Sequence, residues 1–517
     1  MTKARDTYDF CIVGAGSCGG LVTKQLADRG FRVVALDAGP HYDSTVDFVN
    51  DEAEMLKLAW NEPRVLTGKH PVGPLSGQGV GGGGLLWLGV TPRLHESDFE
   101  TYTRDGVGVD WPIRYADLAP YYSRVEREFG VAGINNNPFE PPREPYPMPP
   151  HPMSRLAQVL SRGVRAVGAT PLVAPLAINS VEYDGRPACT YCGWCFQGCP
   201  IDAKASSLVT YIPKARALGA RIIPNAFVSR ITYDAATNRV DGVEYLDSQG
   251  RTHRLDARAV VVSAHAYETP RLLLLSANAT FPEGLANSSG FVGKNFMTHP
   301  NYQVSGRFPD PVNGYKGIPM GQVLVQDYYE TDPRNDFARG YQLISFGTLP
   351  YCHAIIGPDC FGDELRQFLR DYAYMAGWWI CAEGLPNDRS TVTLDPEVRD
   401  ARGLPVARVT HEWLANDVAV LDAARRTCEE LLWAAGAEQV HVGIEYAAHP
   451  MGTCRMGRDP SASVVDEHGR SHDIGNLFVC DTSVFVTGGG VNSTLTAMAL
   501  ASRSADHMAD AARRGDL

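Results

Sequence analysis

The chain has 517 residues, enough for roughly two to four domains with large cores. Hydrophobic residues make up 44% and charged residues 21%, a balance that excludes an intrinsically disordered protein. The net charge of −12 argues against nucleic acid or an anionic membrane surface as the main partner.

Three further classes are disfavoured by the pattern of residues. No apolar run approaches the roughly 20 residues that a membrane helix needs, so we expect no membrane span. The first apolar run, Phe10–Val13, leads into glycines and not into a cleavage site, so we expect no signal peptide and a cytoplasmic protein. The 12 cysteines are too few for a disulfide scaffold.

The chain opens with a strand, a glycine-rich turn, a helix and a second strand. Phe10–Val13 reads as a buried strand, Leu21–Arg29 as a helix that Gly30 ends, and Phe31–Leu36 as the next strand. In this α/β setting the G-x-G-x-x-G turn is the fingerprint of a Rossmann-like dinucleotide site.

Each residue of that fingerprint has a distinct physical role. Gly14 permits the tight turn, Gly16 lets the backbone approach a pyrophosphate, and Gly19 lets helix and strand pack closely. The helix N-terminus offers free N–H groups to phosphates, and Asp37 can bind ribose hydroxyls. The motif does not distinguish NAD from FAD.

Two segments further along predict breaks in regular structure. Asn135–Pro152 is packed with proline, which predicts an extended surface excursion, and Pro309–Asn335 is rich in Gly, Pro, Asp and Asn.

Three other segments predict regular elements. Arg221–Leu275 predicts a strand, a hairpin, a strand and a helix that begins at Thr269-Pro270. Asn416–Ala435 predicts an amphipathic helix, and Asn476–Ala509 a strand, a glycine-rich turn and a helix.

Several of these segments together resemble the flavin-binding blocks of the glucose–methanol–choline (GMC) oxidoreductases. Besides the N-terminal fingerprint, the blocks are Gly77–Arg93, Val260–Ser276, Val292–Pro300, His449–Gly457 and Asn476–Ala501. The resemblance implies bound FAD, a Rossmann-like FAD domain and an inserted α+β substrate domain built on an antiparallel sheet. We expect the FAD domain to comprise residues 1–100, 190–305 and 440–517, and the substrate domain residues 101–189 and 306–439.

Within the family, Arg93–Ala132 resembles the sugar-acid and polyol dehydrogenases, and Gly79–Arg93 resembles the pyranose oxidases. Some pyranose oxidases attach FAD through a histidine in this tract. Leu86 stands at that position and has no nucleophilic atom, so the resemblance implies noncovalent FAD. The chain departs from the family pattern at His265, usually Gly, and at Ser493, usually Pro.

The resemblance also assigns the chemistry. A flavin enzyme that oxidises an alcohol needs a base for the hydroxyl proton, and a neutral imidazole suits that role near neutral pH. By resemblance His449 is this base and Asn492 its hydrogen-bonding partner, since an amide orients a hydroxyl without titrating.

Further positions are implied to lie near the cofactor. These are Gly81 and Gly82 in the glycine tract, Val228, Asp481, His265 and His299. We expect His441, His468 and His472 to be ordinary surface or structural residues.

A four-cysteine run has the spacing of a bacterial ferredoxin motif. Its members are Cys189, Cys192, Cys195 and Cys199, the last followed by proline. Such thiolates could hold a [3Fe–4S] or [4Fe–4S] cluster, the [3Fe–4S] form being what the sugar-dehydrogenase branch implies. Zinc and simple packing of buried thiols remain open alternatives, and disulfides do not fit a reducing compartment.

The sequence therefore predicts FAD-dependent oxidation of an alcohol group, most simply on a sugar, glycoside or polyol. The electron acceptor is O2 or a redox partner. Two alternatives stay open: oxidation of a lipid, sterol or other apolar alcohol, and a flavin/iron–sulfur electron-transfer module without turnover.

Overall fold

The structure is a computed structural model that describes residues 7–54, 56–347, 349–356 and 360–517. The strands in these ranges are β1 (Tyr8–Val13), β2 (Val33–Leu36), β3 (Val65–Thr67), β4 (Arg221–Ile223), β5 (Phe227–Asp234), β6 (Arg239–Leu246), β7 (Thr252–Val262), β8 (Met297–Asn301), β9 (Gln303–Arg307), β10 (Met320–Val325), β11 (Tyr341–Phe346), β12 (Met375–Ala382), β13 (Thr391–Arg399), β14 (Pro405–Thr410), β15 (Gln439–Val442), β16 (Tyr446–Met451) and β17 (Leu477–Val479).

The α-helices in the same ranges are α1 (Ser17–Asp28), α2 (Ser44–Asp47), α3 (Thr101–Asp105), α4 (Tyr115–Phe129), α5 (Arg155–Ala166), α6 (Tyr211–Ala217), α7 (His265–Leu275), α8 (Pro350–Ile356), α9 (Asp363–Arg370), α10 (Ala415–Ala434) and α11 (Thr494–Arg514). No helix in the described ranges has the length and apolarity to cross a membrane.

The largest sheet is parallel in its centre. Strands β4, β2, β1, β7 and β17 run parallel, and the antiparallel hairpin β5–β6 extends the sheet from the start of the long strand β7. Strands β1 and β2 are almost wholly buried because helices α1, α11 and neighbouring segments cover the sheet, as parallel sheets require. This part of the molecule confirms the predicted Rossmann-like α/β unit.

A second sheet is wholly antiparallel and has the order β10-β11-β12-β9-β15. Helices α5 and α10 pack on one face through an apolar core that includes Trp378 and Leu431. The other face, with Trp379 and Ile344, packs on a separate apolar cluster. The predicted α+β substrate region on an antiparallel sheet is therefore confirmed as a fold.

Two smaller sheets complete the described architecture. Strands β13, β14 and β3 form one, and β16 pairs with β8 in the other. Helix α7 packs on β13 and β14.

Local predictions were mostly right, with three corrections. Helix α7 begins at His265, four residues before the predicted start at Thr269. Pro270 therefore lies inside the helix and not at its start. The seam Pro309–Asn335 contains strand β10, whose residues are buried. The proline-rich segment Asn135–Pro152 has no helix or strand, as predicted, but it buries Tyr146 and Met148 against the core and is not a pure surface excursion.

Candidate active site

A cavity of about 780 Å³ lies between the two large sheets. Its walls include Val13 and Leu36 at the carboxyl ends of β1 and β2, and Trp379 from the antiparallel sheet. Ligands of doubly wound α/β proteins bind at this edge of the sheet. We call the part of its wall that contains Gly14, Gly16 and Gly82 the glycine-rich end. The part that contains His449 and Asn492 is the other end.

The glycine-rich turn after β1 has no room for side chains. Gly14 has a φ of +96°, and a Cβ there would lie 2.4 Å from the carbonyl oxygen of Ser263. A Cβ on Gly19 would lie 1.9 Å from the carbonyl oxygen of Gly14. Gly14 and Gly16 line the cavity, whereas Gly19 is absent from its walls and provides the close packing of α1 against the turn.

Asp37 follows β2 and lines the same end of the cavity. Its carboxylate accepts hydrogen bonds from the backbone N–H of Ala15 at 2.9 Å and of Gly39 at 3.0 Å. Burial raises the pKa of Asp37, and these two backbone donors oppose the shift. The carboxylate therefore holds the glycine turn in shape while it borders the cavity.

The glycine tract that follows residue 76 docks onto the first glycine turn. A Cβ on Gly82 would lie 2.8 Å from the Cα of Gly16, and the N–H of Gly81 donates to the carbonyl of Ala15 at 3.1 Å. Gly82 lines the cavity, whereas Gly81 is behind it and anchors the tract. Two backbone segments thus form one cradle.

The other predicted cofactor positions also border the cavity. Val228, in β5, and Leu86 line it. Asp481 lines it as well, and its carboxylate accepts from the N–H of His265 at 3.0 Å and the hydroxyl of Thr269 at 2.6 Å. Burial raises the pKa of Asp481. This carboxylate anchors the first turn of α7.

His265 occupies a position that the backbone strains. Its φ is +77°, a region that non-glycine residues rarely adopt, and its Nδ1 is buried without a hydrogen-bond partner. The ring borders the cavity, and burial lowers its pKa to about 3.

His449 and Asn492 meet at the opposite end of the cavity. The Nδ2 of Asn492 lies 3.2 Å from the Nε2 of His449. His449 sits in β16 at an irregularity in its pairing with β8, and its φ is +55°. A β-bulge of this kind redirects a side chain, which explains how a strand residue faces the cavity.

Asn492 follows a turn, Gly488–Gly490, that buried polar groups fix. The N–H of Gly489 donates to Glu383 at 3.1 Å, and the N–H of Gly490 donates to the hydroxyl of Tyr329 at 3.0 Å. Glu383 in turn accepts from Arg339 at 2.7 Å. The amide of Asn492 is therefore presented from a rigid support.

The charge state of this end follows from burial. Desolvation, with a smaller effect of His299, holds the pKa of His449 well below its usual range. Desolvation also lowers the pKa of His299 to about 4. Both imidazoles are neutral at neutral pH, the form in which an imidazole can accept a proton.

Sequence reasoning placed His299 near the cofactor but gave no partner for it. Its Nδ1 lies 2.8 Å from the Nδ1 of His449, and the thiol of Cys381 lies 3.5 Å from the same atom. Gln342, fully buried in β11, donates to the Oδ1 of Asn492 at 3.3 Å. Sequence reasoning missed Cys381 and Gln342 because strand periodicity alone does not predict which residues meet across strands. A glutamine within an otherwise apolar strand pattern is the signal that could have indicated Gln342.

The four-cysteine run forms a loop around a second, small cavity that all four residues line. Cys192 is exposed and Cys195 is buried. Desolvation raises the pKa of Cys189 to about 11 and that of Cys195 to about 12. Lys204 joins this loop to the glycine tract, since its ammonium donates to the carbonyls of Leu85 and Trp87 at 2.8 Å and of Cys195 at 2.6 Å.

His441, His468 and His472 are absent from the cavity walls. His441 packs edge-on against Phe368, His468 stacks on His507, and His472 bonds to Ser463.

Two solved structures share the fold. Pyridoxine 4-oxidase from Mesorbium loti superposes with a TM-score of 0.72 at 18% identity, covering 97% of this chain and 99% of that one. A formate oxidase of Aspergillus oryzae superposes with a TM-score of 0.71 at 17% identity, covering 99% of each chain.

Curated relatives align over nearly the whole chain. The fructose dehydrogenase large subunit of Gluconobacter japonicus is 32% identical over all of both chains. The 2-methyl-1,2-propanediol dehydrogenase of Mycolicibacterium austroafricanum is 32% identical, covering 98% of this chain and 96% of the relative. The 6'''-hydroxyparomomycin C oxidase of Streptomyces lividus is 30% identical, covering 97% and 92%.

Family models described as GMC oxidoreductase match residues 8–301 with the N-terminal model and residues 386–501 with the C-terminal model. Together with the relatives' alignment over full length, these matches show that the chain belongs to the GMC oxidoreductase family.

Proposed function

We propose that the chain binds FAD noncovalently in the large cavity and oxidises an alcohol group of a sugar, glycoside or polyol. The observation that carries this proposal is the contact of His449 and Asn492 across one cavity from a two-segment glycine cradle. When bound, FAD supplies the acceptor for the hydride of the substrate carbon.

The residues at the glycine-rich end fit a dinucleotide. The N-terminus of α1 offers N–H groups for a diphosphate, and Gly14, Gly16 and Gly82 leave space for the backbone to approach it. Asp37 and Val228 border the cavity there, and the ring of His265 also lines it. Leu86 has no nucleophilic atom, which supports noncovalent binding.

The residues at the other end fit proton abstraction. In the structure the Nδ2 of Asn492 lies 3.2 Å from the Nε2 of His449. A substrate hydroxyl that enters between them replaces this bond: it gives its proton to the neutral Nε2, and the developing alkoxide accepts from the Nδ2 of Asn492. Met320, Phe346 and Trp379 also line the cavity, and the ring of Trp379 packs edge-on against His449.

The names of the relatives guide the choice of substrates. These names refer to fructose, to a branched diol and to an aminoglycoside, all of which present a CH–OH group.

The direct test is anaerobic reduction of the bound flavin. The purified protein is mixed with fructose, gluconate, 2-methyl-1,2-propanediol, paromamine and a long-chain alcohol, and flavin bleaching is followed. Bleaching by a sugar, glycoside or polyol is the expected result. Bleaching by the long-chain alcohol alone would support the apolar-alcohol alternative, and a flavin that none of them reduces would contradict the proposal.

For the four-cysteine loop we propose an iron–sulfur cluster that passes electrons to a redox partner. A single zinc ion needs sulfurs about 3.8 Å apart, from Zn–S bonds near 2.3 Å. Within the described ranges, three or more ligand atoms lie within 4.8 Å of one another only at His299, Cys381 and His449. No three sulfurs of the loop come this close, which disfavours zinc in this arrangement, and the support for a cluster is the ferredoxin-like spacing of the run.

The position of this loop suits electron transfer. Phe196 lines the large cavity, whereas its neighbour Cys195 lines the small one, and Lys204 ties the two walls together. Iron and acid-labile sulfide assays, with electron paramagnetic resonance, test the proposal. Stoichiometric iron and sulfide that disappear in a Cys195→Ala variant are expected; a wild-type protein purified anaerobically without iron would contradict it and favour O2 as the acceptor.

A further inference from the structure

A continuous chain of side-chain hydrogen bonds leads from the proline-rich segment to the candidate base. Its members, in order, are Asn137, Gln326, Gln342, Asn492, His449 and His299. Gln326 and Gln342 are almost fully buried, so each of their polar groups needs a partner within the protein. Each amide has one donating and one accepting side, so fixing one member orients the rest.

The orientation is fixed first at Asn137. The backbone N–H of Phe139 donates to the Oδ1 of Asn137 at 3.0 Å, and a backbone N–H cannot accept. The Nδ2 of Asn137 therefore lies on the side of the amide away from Phe139. It donates to the carboxylate of Glu140 at 3.1 Å and to the Oε1 of Gln326 at 2.8 Å.

A second anchor gives the same orientation at Gln326. The Nδ1 of His95 lies 3.0 Å from the carboxylate of Glu330, which only accepts, so this Nδ1 carries the proton. In the neutral imidazole the Nε2 of His95 is then an acceptor, and it lies 3.2 Å from the Nε2 of Gln326. Both anchors thus require the amide nitrogen of Gln326 to point toward Gln342.

The orientation then passes to the candidate base. The Nε2 of Gln326 donates to the Oε1 of Gln342 at 3.4 Å, and the Nε2 of Gln342 donates to the Oδ1 of Asn492 at 3.3 Å. The Nδ2 of Asn492 is left facing the Nε2 of His449 at 3.2 Å. An amide nitrogen only donates, so this Nε2 must present its lone pair.

The other ring nitrogen of His449 closes the chain. A neutral imidazole with a lone pair on Nε2 carries its proton on Nδ1, which donates to the Nδ1 of His299 at 2.8 Å. His299 then carries its own proton on Nε2, a buried atom beside the backbone of Gly488 and Gly489 that has no regular hydrogen-bond partner in the described residues.

We propose that this hydrogen-bond chain holds His449 in the neutral tautomer with the proton on Nδ1 and the lone pair on Nε2. Gln326, Gln342 and His299 are thereby positioning residues for the base. The proposal deepens, and rests on, the proposed alcohol oxidation. In that step the substrate O–H bond breaks, an N–H bond forms at Nε2, the C–H electron pair leaves as hydride to the flavin, and the carbonyl forms.

The tautomer is measured directly on the wild-type holoenzyme. Protein labelled with [15N]histidine is examined by NMR, and the signals of His449 are those missing from a His449→Gln variant. A protonated Nδ1 and an unprotonated Nε2 are expected without substrate. A protonated Nε2 would overturn the proposal. No substrate enters this measurement, so failure of every alcohol to reduce the flavin would refute the proposed function separately.

A reversal of one bond tests the chain itself. In Gln342→Glu the ionised carboxylate accepts from both Gln326 and Asn492, which turns the Oδ1 of Asn492 toward His449 and requires a proton on Nε2. Recorded at about pH 9, where a buried glutamate is mostly ionised, the tautomer should switch and flavin reduction should slow about 100-fold. Gln342→Met, which only removes the bonds, should slow it about 10-fold with both tautomers present.

The matched control is Tyr341→Phe in the same strand. It removes a partly buried hydrogen bond to Thr427 on the side of β11 away from these hydrogen bonds. Its tautomer and reduction rate should match the wild type. An unchanged His449 tautomer in both Gln342 variants, or an equal switch in Tyr341→Phe, would contradict the proposal, and the melting temperature and FAD content show whether each variant is folded.

Discussion

At the scale of single residues, the candidate site combines strain with orientation. His449 and His265 both have left-handed backbones, with φ of +55° and +77°, and both border the cavity. Such conformations cost about 1–3 kcal/mol and persist where surrounding structure fixes them, which is characteristic of functional positions. Asn492 adds an amide whose direction buried partners determine.

The proposed role of Asn492 predicts a selective kinetic defect. Asn492→Ala removes the donor that we propose for the developing alkoxide, so flavin reduction at saturating substrate should slow about 10²–10³-fold with FAD still bound. Stopped-flow absorbance measures this rate. Asn476→Ala is the contrasting variant because Asn476 bonds only to backbone groups far from the cavity. It should lower the melting temperature and leave the rate per folded enzyme unchanged; a full rate in Asn492→Ala would refute the assigned role.

Relief of strain at His265 predicts opposite effects on stability and binding. His265→Gly removes the cost of a positive φ, so the FAD-free protein should gain about 1 kcal/mol of unfolding free energy. The variant also loses the ring that lines the cavity, so FAD affinity should fall up to about 10-fold. Urea unfolding and flavin-fluorescence titration measure the two quantities. Unchanged FAD affinity would show that this ring does not contact the cofactor.

At the scale of elements, the two glycine segments act as one unit. The turn between β1 and α1 meets the tract around Gly82, and a Cβ on Gly77 would lie 2.2 Å from the carbonyl oxygen of Gly82. The sequence pattern predicts the first turn because strand, turn and helix are contiguous. It does not predict the docking of the second segment, because the two lie far apart in the chain and no local pattern specifies their contact.

This docking predicts a strong effect of one added methyl group. Gly82→Ala places a Cβ 2.8 Å from the Cα of Gly16, so the two segments must separate and FAD affinity should fall at least about 10-fold. Gly106→Ala is the control. It has a similar positive φ of +72°, but nothing lies within 4 Å of its Cβ and the residue is outside the cavity walls. Equal FAD affinities in the two variants, measured by fluorescence titration, would contradict the cradle.

At the scale of the whole molecule, the site depends on contacts between distant parts of the chain. The strands of the parallel sheet lie within residues 1–100, 190–305 and 440–517, whereas β3 pairs with β14 from the other predicted domain. The division into those ranges and residues 101–189 and 306–439 stays a prediction. Residues of both large sheets line one cavity.

The sequence predicted the residues that line the cavity better than the buried hydrogen bonds that position them. Resemblance gave His449 and Asn492 because each lies in a short family block, and the structure brings them within 3.2 Å. It could not give Gln326 and Gln342, since Gln326 bonds to Asn137 across 189 residues and Gln342 bonds to Asn492 across 150 residues. Nor could periodicity give the β-bulge that turns His449 toward the cavity, because a bulge is a property of two paired strands.

Buried histidines predict loss of stability in mild acid. Burial lowers the pKa of His299 and of His411 to about 4 each, whereas the unfolded chain titrates near 6.5. Between these values the unfolded state binds more protons, so the unfolding free energy is full above about pH 6.5 and falls as pH approaches 4, by up to about 3 kcal/mol per histidine.

Urea unfolding at saturating FAD between about pH 7 and 5 measures this loss. His411 is outside the cavity walls, so His411→Gln should make the pH dependence shallower without changing flavin reduction. An unfolding free energy that does not change over this range, or an equal slope in wild type and variant, would show that these imidazoles are already protonated in the folded protein.

The central claim is that His449 takes the hydroxyl proton while the flavin takes the hydride. Anaerobic stopped-flow reduction of the FAD-loaded His449→Ala variant, with the alcohol that reduces the wild type, tests it most directly. The control is His441→Ala, a half-buried histidine outside the cavity walls. The account predicts that His449→Ala retains FAD and reduces it about 10²–10⁴-fold more slowly, while the control keeps the wild-type rate. An FAD-loaded His449→Ala variant that is reduced at the wild-type rate would contradict it.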